Sequence, residues 1–471
     1  MTIVMNNIPG VVPAGLAPAD SAFVAYLAGA RYTSYPAPEH FTEAYDATHH
    51  RSALAGRALS GPLRPLAIYV HLPFCTSTCH YCSCHTVVTQ DRRRANRYLQ
   101  AIRKEARLVR RELSAITPIS RLYIGGGTPT FLEDVQLQSL KDILESTFKF
   151  DERASRFIEV DPRTTPPERL ETLRALGFDH LEVGAQDLNT DVLANVNRPQ
   201  PPQAVIELVQ ASRGMGFKSV TVDLLCGLPQ QSTASFALTL ETVIRLEPDS
   251  INIYPYHHLP DRHRAHRLLD SAVLPPFRAT HSMMRNALNT LVQAGWIHLG
   301  MHHFVRPDHP LATAQREGRL HRNFQGYTTV QESDLIALGM SAISRIGITY
   351  AQNVRTLSQY YEAIESGRLA IERGHGLSAD DILRHAIIMS IMCRGYVSFP
   401  AVEEAHFVNF NRYFRHEIDD LLRLEHEGLI RFEPDGFAVT DAGYLCLSYV
   451  AQVFDRYERQ RQAFTNRSRI L

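Results

Sequence analysis

Neither sign of charge is in excess: 49 Lys and Arg offset 49 Asp and Glu, for a formal net charge of zero. A chain so balanced carries no electrostatic footprint for nucleic acid or an anionic membrane as its main partner. No unbroken apolar run reaches membrane-spanning length, although the apolar fraction, 44%, is ordinary for a soluble protein. The first twenty residues hold no Lys or Arg and are broken by Pro9, Gly10, Pro13, Gly15 and Pro18, so neither a secretory signal nor a transit peptide is expected there. Cysteine is scarce, seven in 471 residues, which excludes a small fold built on disulfides. Three of the seven, Cys226, Cys393 and Cys446, lie scattered in apolar context and are expected in the core.

The other four crowd into Tyr69-Val-His-Leu-Pro-Phe-Cys75-Thr-Ser-Thr-Cys79-His-Tyr-Cys82-Ser-Cys84, directly after an apolar run that reads as a buried strand. Thiolates this close bind metal or form disulfides, and in a long chain poor in cysteine elsewhere metal is the better reading. Structural zinc draws on two separated ligand pairs, and no second pair is in view. Three ligands from one loop leave a position open, as in a [4Fe–4S] cluster whose fourth iron takes a cofactor. The Cys-x3-Cys-x2-Cys spacing of Cys75, Cys79 and Cys82 resembles the radical S-adenosylmethionine (SAM) superfamily. Thiolates meant for iron place the chain in a reducing cytoplasm.

Strands are expected over 66–70, 121–124, 157–160, 180–184, 219–225 and 250–254, with helices over 93–113, 135–147, 166–176, 202–215 and 234–245. Strand alternating with helix calls for parallel pairing and right-handed crossovers: an α/β fold, a partial (β/α)6 TIM-like radical SAM barrel with its chemistry at the carboxyl ends of the strands. The first helix sets Arg92, Arg93, Arg94, Arg97, Arg103, Lys104, Arg107, Arg110 and Arg111 opposite Tyr98, Ile102, Ala106, Val109 and Leu113, a solvated face over a buried stripe; a docking patch for an acidic electron donor is the minority reading. Residues 259–367 are mixed, with a strand over 296–301 and a polar loop over 315–329. From 378 the texture becomes two helices, a hairpin (429–432 and 437–439 around Glu433-Pro-Asp-Gly436) and a last helix from 441, a mostly helical C-terminal domain. Its acidity and lack of a basic stripe favour a cap over a DNA-binding wing. The expected division is 1–60, an N-terminal extension with a substrate-side loop, 61–370, the barrel with its extension, and 371–471, the helical cap.

Each strand ends in something useful. Gly125-Gly-Gly-Thr128-Pro-Thr130 follows the second, and its backbone can approach an amino acid zwitterion closely, offering amides and carbonyls. Glu159, Gln186 and Asp223 interrupt or end apolar strands where burial is costly without a partner; three on successive strands point to one shared ligand.

Tyr-Val-His-x-Pro-Phe-Cys with the extra Cys84, Gly-Gly-Gly-Thr-Pro-Thr, Glu-Val-Asp-Pro-Arg, Val-Asp-Leu and His321-Arg-Asn-Phe-Gln-Gly-Tyr-Thr-Thr329 together resemble the oxygen-independent coproporphyrinogen III oxidases (dehydrogenases) of haem (porphyrin) biosynthesis. The resemblance implies one [4Fe–4S] cluster on Cys75, Cys79 and Cys82 and two SAM molecules per site. Carried over by motif position, Tyr69, Gly126, Glu159 and Ile343 contact the SAM on the cluster, and Tyr81, Gly127, Thr128, Gln186, Arg198, Asp223 and His257 surround the second. Cys84 and Tyr69 are the candidates for a catalytic part; Cys84 is not counted as iron-binding. Arg31, Arg322, Asn323, Gln325 and Tyr327 are candidates for holding substrate carboxylates. The implied reaction turns two propionates of coproporphyrinogen III into vinyl groups through a 5′-deoxyadenosyl radical, giving protoporphyrinogen IX, in a cytoplasmic monomer reduced by a flavodoxin or ferredoxin. Ser83, Cys226, His257 and His302 stand where glycine, tyrosine, alanine and aspartate are usual, and the His257 imidazole is expected to crowd or re-pair the second SAM. A haem chaperone, or a radical enzyme that methylates or opens haem, is the alternative; Cys84 and the 321–327 segment argue against the chaperone.

Overall fold

The computed structural model describes residues 34–57, 65–113, 117–323, 325–330, 334–444 and 446–461. They form two compact units, one from 41–276 with 332–376, the other from the described parts of 1–40, 277–331 and 377–471. Arg31 lies outside the described residues, as does most of the expected N-terminal extension.

In the first unit the strands are β1 (Leu66–Leu72), β2 (Ile119–Gly126), β3 (Phe150–Val160), β4 (His180–Gln186), β5 (Ser219–Cys226), β6 (Ser250–Pro255), β7 (Asp334–Leu338), β8 (Ile343–Ile346), β9 (Thr349–Asn353) and β10 (Ile371–Gly376). They hydrogen-bond in the order β10-β9-β8-β7-β1-β2-β3-β4-β5-β6. All pairs from β7 through β6 are parallel, and β7 to β10 are antiparallel. Among the described residues this sheet is not closed into a full barrel, in keeping with the partial barrel expected. β1 is buried at six of seven positions, the mark of a parallel strand covered on both faces. β4 and β5 instead alternate buried with half-buried residues, because one face of each looks toward a cavity.

The crossover helices are α1 (Arg94–Glu112), α2 (Asp134–Thr147), α3 (Arg169–Ala175), α4 (Thr190–Asn195), α5 (Pro202–Gly214) and α6 (Thr233–Arg245). Local chemistry sets their starts: Asn189 caps α4 through its side chain, and Ser232 with Ser235 forms a capping box on α6. α1 buries Ala95, Tyr98, Leu99, Ile102, Ala106 and Val109 and keeps its cations outside, as the helical spacing requires. One charged residue, Glu105, is buried on the same stripe.

The sequence expectation needs correcting in three places. The polar loop over 315–329 contains the end of a helix (Pro310–Arg316) and a hairpin of His321–Asn323 with Gly326–Thr328. Strands of three residues are too short to show a period. β7 to β10 have no counterpart among the expected strands, although β7 lies beside β1 at the centre of the sheet. The hairpin of the C-terminal segment (Ile430–Glu433 and Gly436–Val439) has a third strand, Tyr396–Ser398, from far back in the chain. The helices there also break into shorter pieces, Ala379–Arg394, Phe399–His406, Phe410–Tyr413, Arg415–His426, Asp441–Tyr444 and Leu447–Gln452. Cys226, Cys393 and Cys446 are buried, and burial pushes the last two thiols up to about 12. No helix among the described residues is long and apolar enough to cross a membrane.

Candidate active site

Beyond β1 the chain turns at Pro73 and runs Phe74 and Cys75 parallel to Val87 and Val88, which closes the base of the cysteine loop. The Thr89 amide donates to the Cys75 carbonyl at 2.9 Å, and the Cys82 amide to the Cys79 carbonyl at 3.1 Å. Cys75, Cys79, Cys82 and Cys84 all line one cavity of about 620 Å³ at the carboxyl ends of the strands. Among the described residues no three His, Cys, Asp or Glu side chains converge on a point where a single ion could sit. A cubane takes each thiolate at a different iron, and Cys75, Cys79 and Cys82 line one cavity wall within electrostatic reach of one another. The donor set fits the cluster.

Each sulfur has a distinct neighbourhood. Burial pushes the Cys75 thiol up to about 11 despite Thr128 Oγ1 at 3.4 Å. The Cys82 thiol is drawn down, first by the Cys84 side chain and then by the Cys84 amide, which donates to Cys82 Sγ at 3.4 Å. Arg163 Nη2 and Arg198 Nη1 each reach Cys79 Sγ at 3.7 Å. Donors on the sulfurs are the means by which a protein tunes a cluster's potential.

The glycine turn after β2 presses against this loop. A Cβ at Gly126, where φ is +117°, would fall 2.6 Å from the His71 ring, and one at Gly127 would fall 2.8 Å from the Pro73 backbone. Only glycine allows that approach. The amides of Gly126, Gly127 and Thr128 donate to Glu159 Oε2, the Leu72 carbonyl and the Phe74 carbonyl at 3.1, 2.7 and 2.9 Å. In this arrangement the three amides hold the turn to β3, to the end of β1 and to Phe74.

A layer of acids underlies the cavity. Glu159 and Glu182 sit opposite one another in the β3–β4 register, with the Tyr123 hydroxyl between them: its one proton goes to Glu159 at 2.9 Å, and the protonated form of Glu182 donates to its oxygen across a shorter contact. Burial, then the negative charges of Asp223 and Glu159, push the Glu182 carboxyl up to about 8; burial also raises Glu159. Asp223 accepts from Asn252 Nδ2 at 2.8 Å. Asp161 lies between Arg163 at 2.7 Å and Arg198 at 3.2 Å. Arg198 also donates to the Gly184 carbonyl at 2.6 Å, and its buried Nε has no hydrogen-bond partner among the described residues. Gln186 ends β4 with φ at +69°, a strained conformation of the kind that gathers at ligand sites.

Of the residues singled out in the sequence, Tyr81, Gly126, Gly127, Thr128, Glu159, Gln186, Arg198 and Asp223 line the cavity together with the four cysteines. Tyr69 stands on β1 behind the glycine turn, its hydroxyl 3.2 Å from His71 Nδ1, while His71 Nε2 bonds the His85 carbonyl at 2.9 Å. Ile343 opens β8, three residues past the lining residue Met340. His257 follows β6 half-buried and is not among the lining residues. Arg322, Asn323, Gln325 and Tyr327 belong to the other unit's hairpin, where the Tyr327 hydroxyl donates to the Met392 carbonyl at 2.9 Å. Glu182, Asp161, Arg163, Met340 and Arg355 are lining residues that the sequence reading missed. The acid in the middle of the apolar run 180–185 was the available signal for Glu182.

A family model described as the radical SAM superfamily matches residues 69–243, and one described as the HemN C-terminal domain matches 377–446. The oxygen-independent coproporphyrinogen III oxidase of Salmonella typhimurium is 40% identical over 443 residues, which cover 94% of this chain and 96% of that protein. This chain belongs to that family. The member from Escherichia coli K12 is 39% identical over the same length. The solved structure of coproporphyrinogen III oxidase (HemN) from E. coli, a radical SAM enzyme, matches with a TM-score of 0.86 over 90% of this chain and 97% of that one. Membership in the oxidase family brings a [4Fe–4S] cluster and SAM with it.

Proposed function

We propose that the chain catalyses the oxygen-independent oxidative decarboxylation of two propionate side chains of coproporphyrinogen III to vinyl groups, giving protoporphyrinogen IX. The observation that carries this reading is the meeting, in one cavity, of Cys75, Cys79 and Cys82 with the glycine turn, Glu159, Gln186 and Asp223, in a chain related to the oxidases along nearly its whole length. Cys75, Cys79 and Cys82 would hold the cluster, which would supply the one-electron reduction of SAM needed for radical removal of hydrogen at a propionate β-carbon, with carbon dioxide and one further electron leaving to give the vinyl group.

The protein's own part is binding, orientation and exclusion of water. Cys84 steadies the Cys82 sulfur through its amide. Tyr123 and the protonated Glu182 keep the acid layer from accumulating charge under the site. Arg198, fixed by Asp161 and Gly184, keeps one buried N–H to offer a ligand. The site takes two SAM molecules, the first at Gly126 and Glu159 near the cysteines, the second at Tyr81, Gln186, Arg198 and Asp223. The electron donor is a flavodoxin or ferredoxin, and the enzyme works as a cytoplasmic monomer.

The test is anaerobic reconstitution, followed by assay of SAM cleavage with and without coproporphyrinogen III and by mass measurement of the porphyrin product. Substrate-dependent 5′-deoxyadenosine with loss of two carboxyl groups is expected. Tight haem binding without turnover, or a methylated or ring-opened product, would overturn the reading.

A further inference from the structure

Coproporphyrinogen III carries a propionate on every pyrrole ring, so while one lies at the reacting position the others remain anionic and need partners. The cavity interior is poorly suited to them. Its lining acids are Glu159, Asp161, Glu182 and Asp223; its cations Arg163 and Arg198 both pair with Asp161, and the remaining Arg198 N–H is the one assigned above to SAM. The mouth is different. Arg262, His263 and Arg264 follow one another along the cavity wall after β6, with both arginines exposed. Arg355 and His85 line the same cavity, and the charges of Arg355 and His263 both bear on the His85 imidazole, which draws these groups into one neighbourhood. Arg355 is shared with Glu372 at 2.8 Å and Asp261 precedes Arg262; among the described residues, the lining of this stretch of wall holds Arg262, Arg264 and Arg355 and no acid.

The arginine-bearing segment is tied down. The Leu259 amide donates to His266 Nδ1 at 3.0 Å, so Nε2 carries the ring proton and donates to the Tyr81 carbonyl at 2.9 Å. His266 is buried, and that burial, the largest cause, holds it down at about 4, in the neutral form this bonding requires. One imidazole thus fixes residues 259–266 to the cysteine loop, one residue from Cys82. A flexible surface loop would leave the two guanidiniums at no defined distance from the cluster; this one does not.

We propose that Arg262 and Arg264 form a carboxylate-binding rim that holds non-reacting propionates of the tetracarboxylate at the cavity mouth, with His266 as the residue that positions it. The proposal rests on the substrate class given under Proposed function. Guanidiniums pair carboxylates in a fixed fork, so the rim favours substrates with free propionates over their esters.

Arg262→Gln, Arg264→Gln, the double variant and the corresponding Lys variants test this. Turnover of coproporphyrinogen III by the double Gln variant is expected to show a KM raised roughly tenfold, with kcat changed much less, and the Lys variants to recover part of the loss. Cluster content per chain, read from absorbance, controls for folding. Binding is followed separately by fluorescence quenching of coproporphyrin III and of its tetramethyl ester on the reconstituted protein. The double Gln variant should bind the free acid more weakly and the ester as the unsubstituted protein does. If the unsubstituted protein binds the free acid more tightly than the double Gln variant does but does not turn over the porphyrinogen, the reaction assigned above fails and the rim stands. Equal binding of the free acid by both proteins, or none by either, overturns the rim.

Discussion

At Cys75, Cys79 and Cys82 the chemistry is local, because all three sulfurs come from one loop closed at its base by the pairing of Phe74 and Cys75 with Val87 and Val88. Replacement of any one by Ala is expected to abolish both the brown cluster absorbance and SAM cleavage; a reducible cluster surviving in any of the three variants would refute the ligand set. Glu182 makes a different case. Burial and the neighbouring charges of Asp223 and Glu159 push its carboxyl up toward the neutral form, and the uncharged amide of Glu182→Gln reproduces that form beside Tyr123, with an N–H to donate to the phenol oxygen. Turnover near that of the unsubstituted enzyme is expected, whereas Glu182→Ala leaves the Tyr123 hydroxyl with one hydrogen-bond partner fewer and should lose at least several-fold. His257 is half-buried outside the cavity lining, and His257→Ala is expected to leave turnover equal or higher. Complete loss would show that the ring has a role of its own.

Among the elements, α1 and the turn between β7 and β8 are joined by Glu105. Its carboxylate accepts from Gly339 N at 2.7 Å, Tyr360 Oη at 2.6 Å and Asn353 Nδ2 at 2.6 Å, while Tyr98 Oη donates to the His71 carbonyl at 2.8 Å and accepts from Met340 N at 3.0 Å. Helix, turn and β1 are thereby held together behind the lining residue Met340. Glu105→Ala should cost about 2–4 kcal/mol by leaving several buried donors unpaired. Burial pushes the Glu105 carboxyl up to about 7 from 4.5. Between those values the folded chain keeps a proton that the unfolded chain has released, so stability falls as pH rises through this window. Urea unfolding midpoints measured from pH 5 to 8 should fall, and Glu105→Gln should flatten the part of the slope that Glu105 contributes. An unchanged slope would mean that this carboxyl titrates at its ordinary value in the fold.

For the whole molecule, the cavity belongs to one unit, yet that unit is assembled from 41–276 and 332–376, with 277–331 assigned to the other. β7 must pair with β1 across more than two hundred intervening residues before the wall carrying Met340 and Arg355 exists. Ligands of that cavity therefore stabilise a long-range closure. SAM at a hundredfold its Kd should add about 2.7 kcal/mol to the unfolding free energy of the reconstituted protein, read as a higher thermal midpoint. The shift should shrink in the Cys75→Ala variant, which lacks the cluster that anchors the cosubstrate; an equal shift would place SAM away from the cysteines.

The sequence alone determined what short-range geometry determines. Three thiols at fixed spacing, apolar runs ending in Gly125, Glu159, Gln186 and Asp223, and the cationic face of α1 could all be read residue by residue, because a loop, a strand period or a helix period is set within a few neighbours. The tertiary structure decided which groups face one another. It set Glu182 against Glu159, tied the glycine-turn amides to β1 and β3, brought β7 to β10 beside β1, and put Arg262 and Arg264 on the cavity wall. These meetings depend on strand register and on contacts between residues far apart in the chain, for which no local pattern exists.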